Sequence, residues 1–522
     1  MELPPGTISL AIIFGWLIIS TIVGIMAGVL KKFSLAEWMV AERGISFLIL
    51  YFAVAAEIYS AFTFLGLAGW AVTHGASILY APAYFVTAYS TGFLLTAYYH
   101  RLGKKFGYLT EPDFFIDRYE SRALGVLVAL IGIFFLLPYI QLQILGTGII
   151  VEVASYGAIS RTPAILIAFI CTAIFIFIGG YRGIAWTNFL QGIIMFIAAF
   201  VAIGVVFAAF GGIEPLFRKV LEVSPKHLLL PGARGIHGYP WYMSSLLLTT
   251  LGFWMFPHLV QRGYSAKQEK DIMRTCAWMS WYSILSLPIV FVGFAAIILF
   301  PGITGYKLPA PDYAVIESVK YFFNPWIVGL VGAGGLAAAI SSGAGLIQCE
   351  SGLVARNIIQ RGIWPKASET ATAWAARALS IIFTVICLFL ALYYPQLLVY
   401  LLLVAYSGVV QFFPGWVFGL AWRRVTKAGV FAGMIAGVIV VLLTTFVWPD
   451  PLQIHSGIWG LFVNFLVTVP VSLATKPPSE ETIRRILSAC APCHSPFLFF
   501  SNPLGNRNNH PKAISSTTAR GV

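Results

Sequence analysis

Charged residues are scarce in this sequence. They make up 10% of its 522 residues, against roughly 25% in soluble globular proteins. Hydrophobic residues fill 59%, and the mean hydropathy is +0.85. No polar stretch is long enough for a second folded domain, which leaves room for a large helical bundle and little beside it. Cysteine is sparse as well, and four of the six, Cys171, Cys276, Cys349 and Cys387, lie inside apolar runs. No disulfide framework is implied. A cleavable leader is not expected either, because the first apolar run, residues 7–30, is too long and lacks a basic n-region. The ten-residue alternation of a membrane barrel is missing too. Backbone groups in lipid must be satisfied within their own segment, so the spans are expected to be helices.

Thirteen apolar segments reach spanning length, about 20 residues or more. They lie near 7–30, 45–69, 78–99, 123–151, 162–181, 184–211, 242–262, 273–300, 324–353, 373–393, 396–422, 426–448 and 455–475. With the N-terminus outside, 26 of the 33 Lys and Arg fall on the inner side, and only Arg161, Arg218, Lys219, Lys226, Arg234, Lys307 and Lys320 fall outside. That asymmetry follows the positive-inside rule. The net charge of +13 therefore reads as topology and attraction to anionic lipid, not as a nucleic-acid footprint.

Two spans carry signs of interruption. The second reads Ala53-Val54-Ala55-Ala56-Glu57-Ile58-Tyr59-Ser60-Ala61-Phe62-Thr63-Phe64-Leu65-Gly66, with a carboxylate, a phenol and hydroxyls at mid-membrane. The seventh holds Pro257 and His258 after Phe253-Trp254-Met255-Phe256. Pro removes a donor and clashes with the preceding turn, so this helix should bend or open. A kinked helix packed on its neighbours would explain either span alone. Interrupted helices in register in two halves of a transporter point instead to a solute site. The ninth span contains Ala337-Ala338-Ala339-Ile340-Ser341-Ser342-Gly343. Its small residues suit close helix packing, and its hydroxyls equally suit a hard monovalent cation.

Between the fifth and sixth spans lies Gly179-Gly180-Tyr181-Arg182-Gly183-Ile184-Ala185-Trp186-Thr187-Asn188-Phe189-Leu190-Gln191. Read plainly, it is a polar hairpin in which the Gly pair ends one helix, Arg182 anchors the loop at the water interface and Trp186 sits at headgroup level. The order GG-x-R-x-x-x-W-T-N-x-x-Q also closely resembles the signature of the sodium:solute symporter family. Other elements resemble the family over about residues 37–425: Ser60-Ala61-x-Thr63-x-x-Gly66, Pro112-Asp113-Phe114 with Arg118-Tyr119, Pro257-His258 with Arg262, and Tyr406-Ser407-Gly408 with Gln411 and Pro414.

The resemblance implies an all-α LeuT-type bundle. Two inverted five-helix repeats, about 45–211 and 242–422, would be flanked by one helix before and two after. Residues 1–475 would form the transmembrane domain, and 476–522 a polar, mobile cytoplasmic tail. It also implies a sodium site made by the Ser341 and Ser342 hydroxyls and the carbonyls of Ala56, Tyr59 and Ala338. Where the family commonly has Asp, this chain has Asn188, which favours a single sodium. The implied activity is sodium-coupled uptake, with no enzymatic chemistry, no cofactor and no metal beyond sodium. The expected partners are a solute, sodium and the bilayer, and the expected state is a monomer in the cell membrane.

The solute is expected between the two broken helices, against Ser60, Thr63, Phe253, Trp254 and Phe256, with Tyr139, Gln143 and Gln411 from neighbouring spans. Aromatics with a few amides and hydroxyls suit a small, partly apolar metabolite. The look of Ala56-Glu57-Ile58-Tyr59-Ser60 resembles the family's monocarboxylate permease branch, which favours a short monocarboxylate or small amino acid over a sugar. Proton coupling is the alternative to sodium, and a channel or a non-transporting sensor is a poorer fit. Glu57 is the one carboxylate placed near mid-membrane and requires a reason there. It is expected to cap free amides of the broken helix; the alternative is a protonatable group that tunes coupling. Cys490-Ala491-Pro492-Cys493-His494 matches a haem-attachment motif. The topology puts it in the cytoplasm, where such haems are not attached.

Overall fold

The computed structural model of the chain describes residues 3–29 and 34–490. Among the described residues every regular element is helical, and the sole extended pairing is one parallel bridge between Ile45 and Ala266. Among the described residues ten helices are long and apolar enough to cross a membrane, and the pair Tyr239–Met255 and Pro257–Ser265, bent by 46°, makes an eleventh. The other two expected spans appear as helical segments joined to neighbours. Phe47–Ile58 with the run through Leu67–His74 forms the second, and the first half of the 42-residue helix Arg161–Ala202 forms the fifth.

That long helix is two helices joined at Gly180, whose φ of 53° and ψ of −156° no residue with a Cβ adopts readily. The side there is also closed, since a Cβ would lie 2.7 Å from the Trp38 ring. The expected hairpin is thus a one-residue reversal. Trp186 is 42% exposed. Arg182 departs from expectation. Instead of anchoring a loop in water, it grips Glu37 with two guanidinium nitrogens and donates to the Ala41 carbonyl at 2.8 Å.

The ninth span, Pro325–Leu353, lies at the centre, packed on the first, fourth and sixth spans and buried along most of its length. Its Gly- and Ala-rich surface lets those backbones come close. The last two spans, Lys427–Val447 and Ser456–Ala474, pack on each other at the edge, against the eleventh. Beyond them, Glu480–Cys490 is a helix and not the mobile start of a tail. It buries Ile483 and Ile486, and its Cys490 carbonyl accepts from Arg101 at 3.0 Å. Cys493, His494 and the remainder of the tail lie outside the described residues.

Candidate functional site

The second span opens where its sequence suggested. Phe47–Ile58 stops at Tyr59, whose ψ of 70° leaves the helical region. In an unbroken helix the Ala56 and Glu57 carbonyls would accept from Ser60 and Ala61. Here the Ser60 amide turns to Ile58 at 2.9 Å, and the Ala61 amide donates to Gln143 Oε1 at 3.0 Å. The two freed carbonyls face the ninth span. Ser341 Oγ donates to Ala56 O at 2.6 Å and lies 3.1 Å from Ala338 O, while Ser342 Oγ donates to Glu57 O at 2.6 Å. Four of the five expected ligand residues therefore meet. For the fifth, Tyr59, the expected ligand is the backbone carbonyl at the break; its side chain turns away, with the hydroxyl 3.0 Å from that of Tyr89 and the ring against Phe85 and Tyr282. The Glu57 carbonyl joins the cluster unforeseen. All these oxygens are neutral and buried, a set that suits a hard monovalent cation able to leave again.

Glu57 itself does not cap amides. Its carboxylate is taken by Arg262, with Nε to Oε2 and Nη2 to Oε1 both at 2.8 Å and both side chains essentially unexposed. Counted by sequence among inner-loop cations, Arg262 is buried because the helix Pro257–Ser265 carries it back into the bundle. Its guanidinium also stacks 3.9 Å from the Tyr181 ring and donates to Gln261. Asn188 Nδ2 reaches Glu57 Oε1 and the Ala53 carbonyl, each at 3.3 Å. Gly345 of the ninth span allows the pair its place, since a Cβ there would lie 2.6 Å from Glu57 Oε1. The cluster joins both broken helices, the sixth span and the ninth, and its charges balance. A second carboxyl, Glu350, is also fully buried on the helix of Ser341, and among the described residues neither of its oxygens has a partner.

The expected solute residues fall into two groups. Tyr139 donates to the Glu57 carbonyl at 3.4 Å and bonds Ser60, and its ring lies 5.4 Å from that of Phe256. Gln143 caps the reopened helix at Ala61, and Thr63 Oγ1 is buried with no partner among the described residues. Phe253 meets Tyr89 and Tyr84. These six share the space around the two breaks, together with Tyr84, Tyr406 and His258, which sequence reasoning did not select. Trp254 and Gln411 do not belong. The Trp254 indole turns into the third span and donates to Ala88 O at 2.8 Å. Gln411 spends its amide on Ser407 and Gly457 and accepts from Asn464, fastening the eleventh span to the thirteenth.

The short helix Glu111–Tyr119 carries two of the family-like elements and locks spans together. Asp113 binds Arg356 and Arg361 of the stretch following the ninth span. Burial pushes its carboxyl up, and the two guanidinia more than offset this, holding it below its ordinary value. Arg118 and Tyr119 donate to the Gly419 and Gly415 carbonyls of the eleventh span.

A multi-pass helical bundle whose second and seventh spans both open at mid-length, with an oxygen cluster at one break and an ion pair joining the two, has the architecture of a secondary active transporter. The sodium:solute symporter family model matches residues 38–437, and the chain belongs to that family. It is 34% identical over 481 residues to a protein named as an uncharacterised symporter, YhjB, of Bacillus subtilis, covering 90% of this chain and 97% of the relative. It is 26% identical to a monocarboxylate transport permease of Rhizobium johnstonii (90% and 98% covered) and 27% identical to the sodium/proline symporter of Escherichia coli (74% and 77%). Its fold is that of a sodium-coupled sialic acid symporter in a substrate-bound outward-open state, with TM-score 0.77 at 17% identity over 90% of this chain and 98% of the other. The fold is therefore of the LeuT type expected from the motifs.

Proposed function

We propose that the chain couples inward sodium movement to uptake of a small organic solute across the cell membrane, its N-terminus outside and its tail in the cytoplasm. The observation that carries this reading is the pair of carbonyls freed at Ala56 and Glu57, each met at 2.6 Å by a hydroxyl of the ninth span. Sodium sits among Ser341, Ser342 and the carbonyls of Ala56, Ala338 and Tyr59, and the Glu57 carbonyl is a further ligand in reach. An ion there fastens the broken second span to the ninth. That fixes the geometry around Ser60, Thr63, Tyr139, Gln143, Phe253 and Phe256, where the solute binds. The transporter occupies residues 1–475, with repeats over about 45–211 and 242–422, and works as a monomer.

The solute is a short monocarboxylate or a small amino acid. Among the described residues the one cation at the breaks, Arg262, is spent on Glu57. A carboxylate must then rely on the bound sodium and on backbone amides at the broken ends. The names of the permease and proline-symporter relatives support a small solute bearing one carboxylate. In proteoliposomes, labelled lactate, pyruvate, acetate, alanine and proline should be tested for uptake against their gradients with sodium outside, and again with potassium replacing it. Uptake that needs sodium and is competed by one of these acids is the expected result. Competition by glucose alone, or uptake indifferent to sodium, would overturn the reading.

A further inference from the structure

On the side that the proposed topology turns to the cytoplasm, a cavity of about 410 Å³ lies between the helix Glu111–Tyr119, the start of the fourth span and the stretch Val354–Ile363. Three guanidinia line it, those of Arg122, Arg356 and Arg361, together with Gln360 and Asp117. Arg356 and Arg361 share the single negative charge of Asp113, using one donor nitrogen each. An arginine has five N–H donors, so donors remain on both. Arg122 has no ion pair or hydrogen bond through its side chain among the described residues. Asp117 is engaged on its other side by Tyr108 at 3.0 Å and by Arg485 at 3.7 Å. Counting those six groups, four cations face two carboxylates. The excess is positive, and it is concentrated on the cavity wall.

Between the lining residues Arg361 and Pro365 the chain is apolar and exposed, with Ile363 77% exposed and Trp364 55% exposed. An exposed aliphatic chain and an indole beside clustered arginines belong at the depth where acyl chains meet headgroups. A cavity serving a soluble anion has no use for them.

We propose that this cavity binds the phosphodiester headgroup of an anionic phospholipid from the cytoplasmic leaflet. The phosphate takes paired N–H donors from Arg122 and Arg361, the geometry in which guanidinium is strongest. Gln360 faces the polar end, and the acyl chains leave past Ile363 and Trp364. Bound there, the lipid ties the start of the fourth span, which carries Tyr139 and Gln143, to the continuation of the ninth, which carries Ser341 and Ser342. The binding itself does not depend on which solute is moved.

Purified full-length protein in phosphatidylcholine vesicles, with and without phosphatidylglycerol, tests this by thermal unfolding and by lipids retained in native mass spectrometry. The wild type should retain phosphatidylglycerol and melt higher with it. Arg122→Gln lies outside the Asp113 lock and should melt normally in phosphatidylcholine, yet bind phosphatidylglycerol about tenfold more weakly, as loss of a charge-assisted contact predicts. Gln360→Ala serves if Arg122→Gln folds poorly and should weaken the same binding. Equal phosphatidylglycerol responses in wild type and variants would overturn the proposal. So would inorganic phosphate alone reproducing the whole shift, because the site would then serve a soluble anion.

Discussion

Arg262 and Glu57 lie 205 residues apart in sequence and form a two-bonded ion pair in the middle of the bundle, each carboxylate oxygen accepting at 2.8 Å. The pair joins the two broken helices. A buried pair is no large source of stability, because desolvation offsets most of its attraction, but breaking one partner leaves a naked charge.

Glu57→Gln should therefore be poorly tolerated. An amide keeps the shape but strands the Arg262 guanidinium, at a cost of roughly 3–5 kcal/mol. The near-normal behaviour expected of an amide-capping Glu57 is thus replaced by a drop in melting temperature and surface expression. Glu57→Gln combined with Arg262→Gln, which removes both charges, should recover much of the expression. A Glu57→Gln protein with wild-type stability would show that the pair is not what holds the helices.

Ser341→Ala and Ser342→Ala should act on sodium more than on solute. Losing one ligand oxygen to a cation costs roughly 1.5–3 kcal/mol, or about 10- to 100-fold in affinity. The measurement is the sodium concentration giving half-maximal uptake, with maximal rate as the control for folding. Wild-type sodium dependence in both variants would place the cation elsewhere.

Thr63→Val offers a cleaner probe of the solute. Thr63 Oγ1 is buried and makes no hydrogen bond among the described residues, so an isosteric methyl should leave melting unchanged. If the hydroxyl serves the solute, KM should rise about tenfold with kcat nearly constant. Unchanged KM would remove Thr63 from the pocket.

Asn188 decides the charge balance beside Glu57. The wild-type cluster holds one anion and one cation, which favours one sodium and a hyperbolic dependence on it. Asn188→Asp places a second carboxylate within 3.3 Å of the first, and like charges so close cannot both ionise without help. Uptake by the variant should become pH-dependent, strongest where the added carboxyl is neutral. A pH profile identical to wild type would contradict this.

Much of this arrangement was legible in the chain, and what escaped has a common cause. The thirteen spans, the breaks after Ile58 and before Pro257, and the meeting of Ser341 with Ala56 followed from runs of apolar residues, a Pro and family-like motifs. The partner of Glu57 did not, because pairing across 205 residues leaves no local pattern, and Arg262 reads as a loop cation unless the helix after Pro257 is known to turn inward. Gln411 and Trp254 failed similarly. Each stands on the right helix, but its face is set by the thirteenth span in one case and by the third in the other.

The loop between the eighth and ninth spans should open with alkali. Asp312 there is 5% exposed and accepts from the Leu398 amide, at the start of the eleventh span, at 3.4 Å. It presses on Gly69 of the second span, where a Cβ would come 2.2 Å from Oδ1. Tyr313 beside it donates to Glu152 of the fourth span, and Arg161 is the cation that acts on the carboxyl. Burial raises the Asp312 carboxyl to about 7, well above the value near 3.9 of an unfolded chain. The closed loop thus holds the proton more tightly than the open one. The stabilisation is complete below the unfolded value and is lost as pH rises through about 7. Hydrogen exchange over residues 308–314 should accelerate several-fold from about pH 6 to pH 8, beyond the intrinsic increase measured on the unfolded peptide. Asp312→Asn, neutral at every pH, should show only that intrinsic increase. Equal excess acceleration in the variant would mean that another group opens the loop.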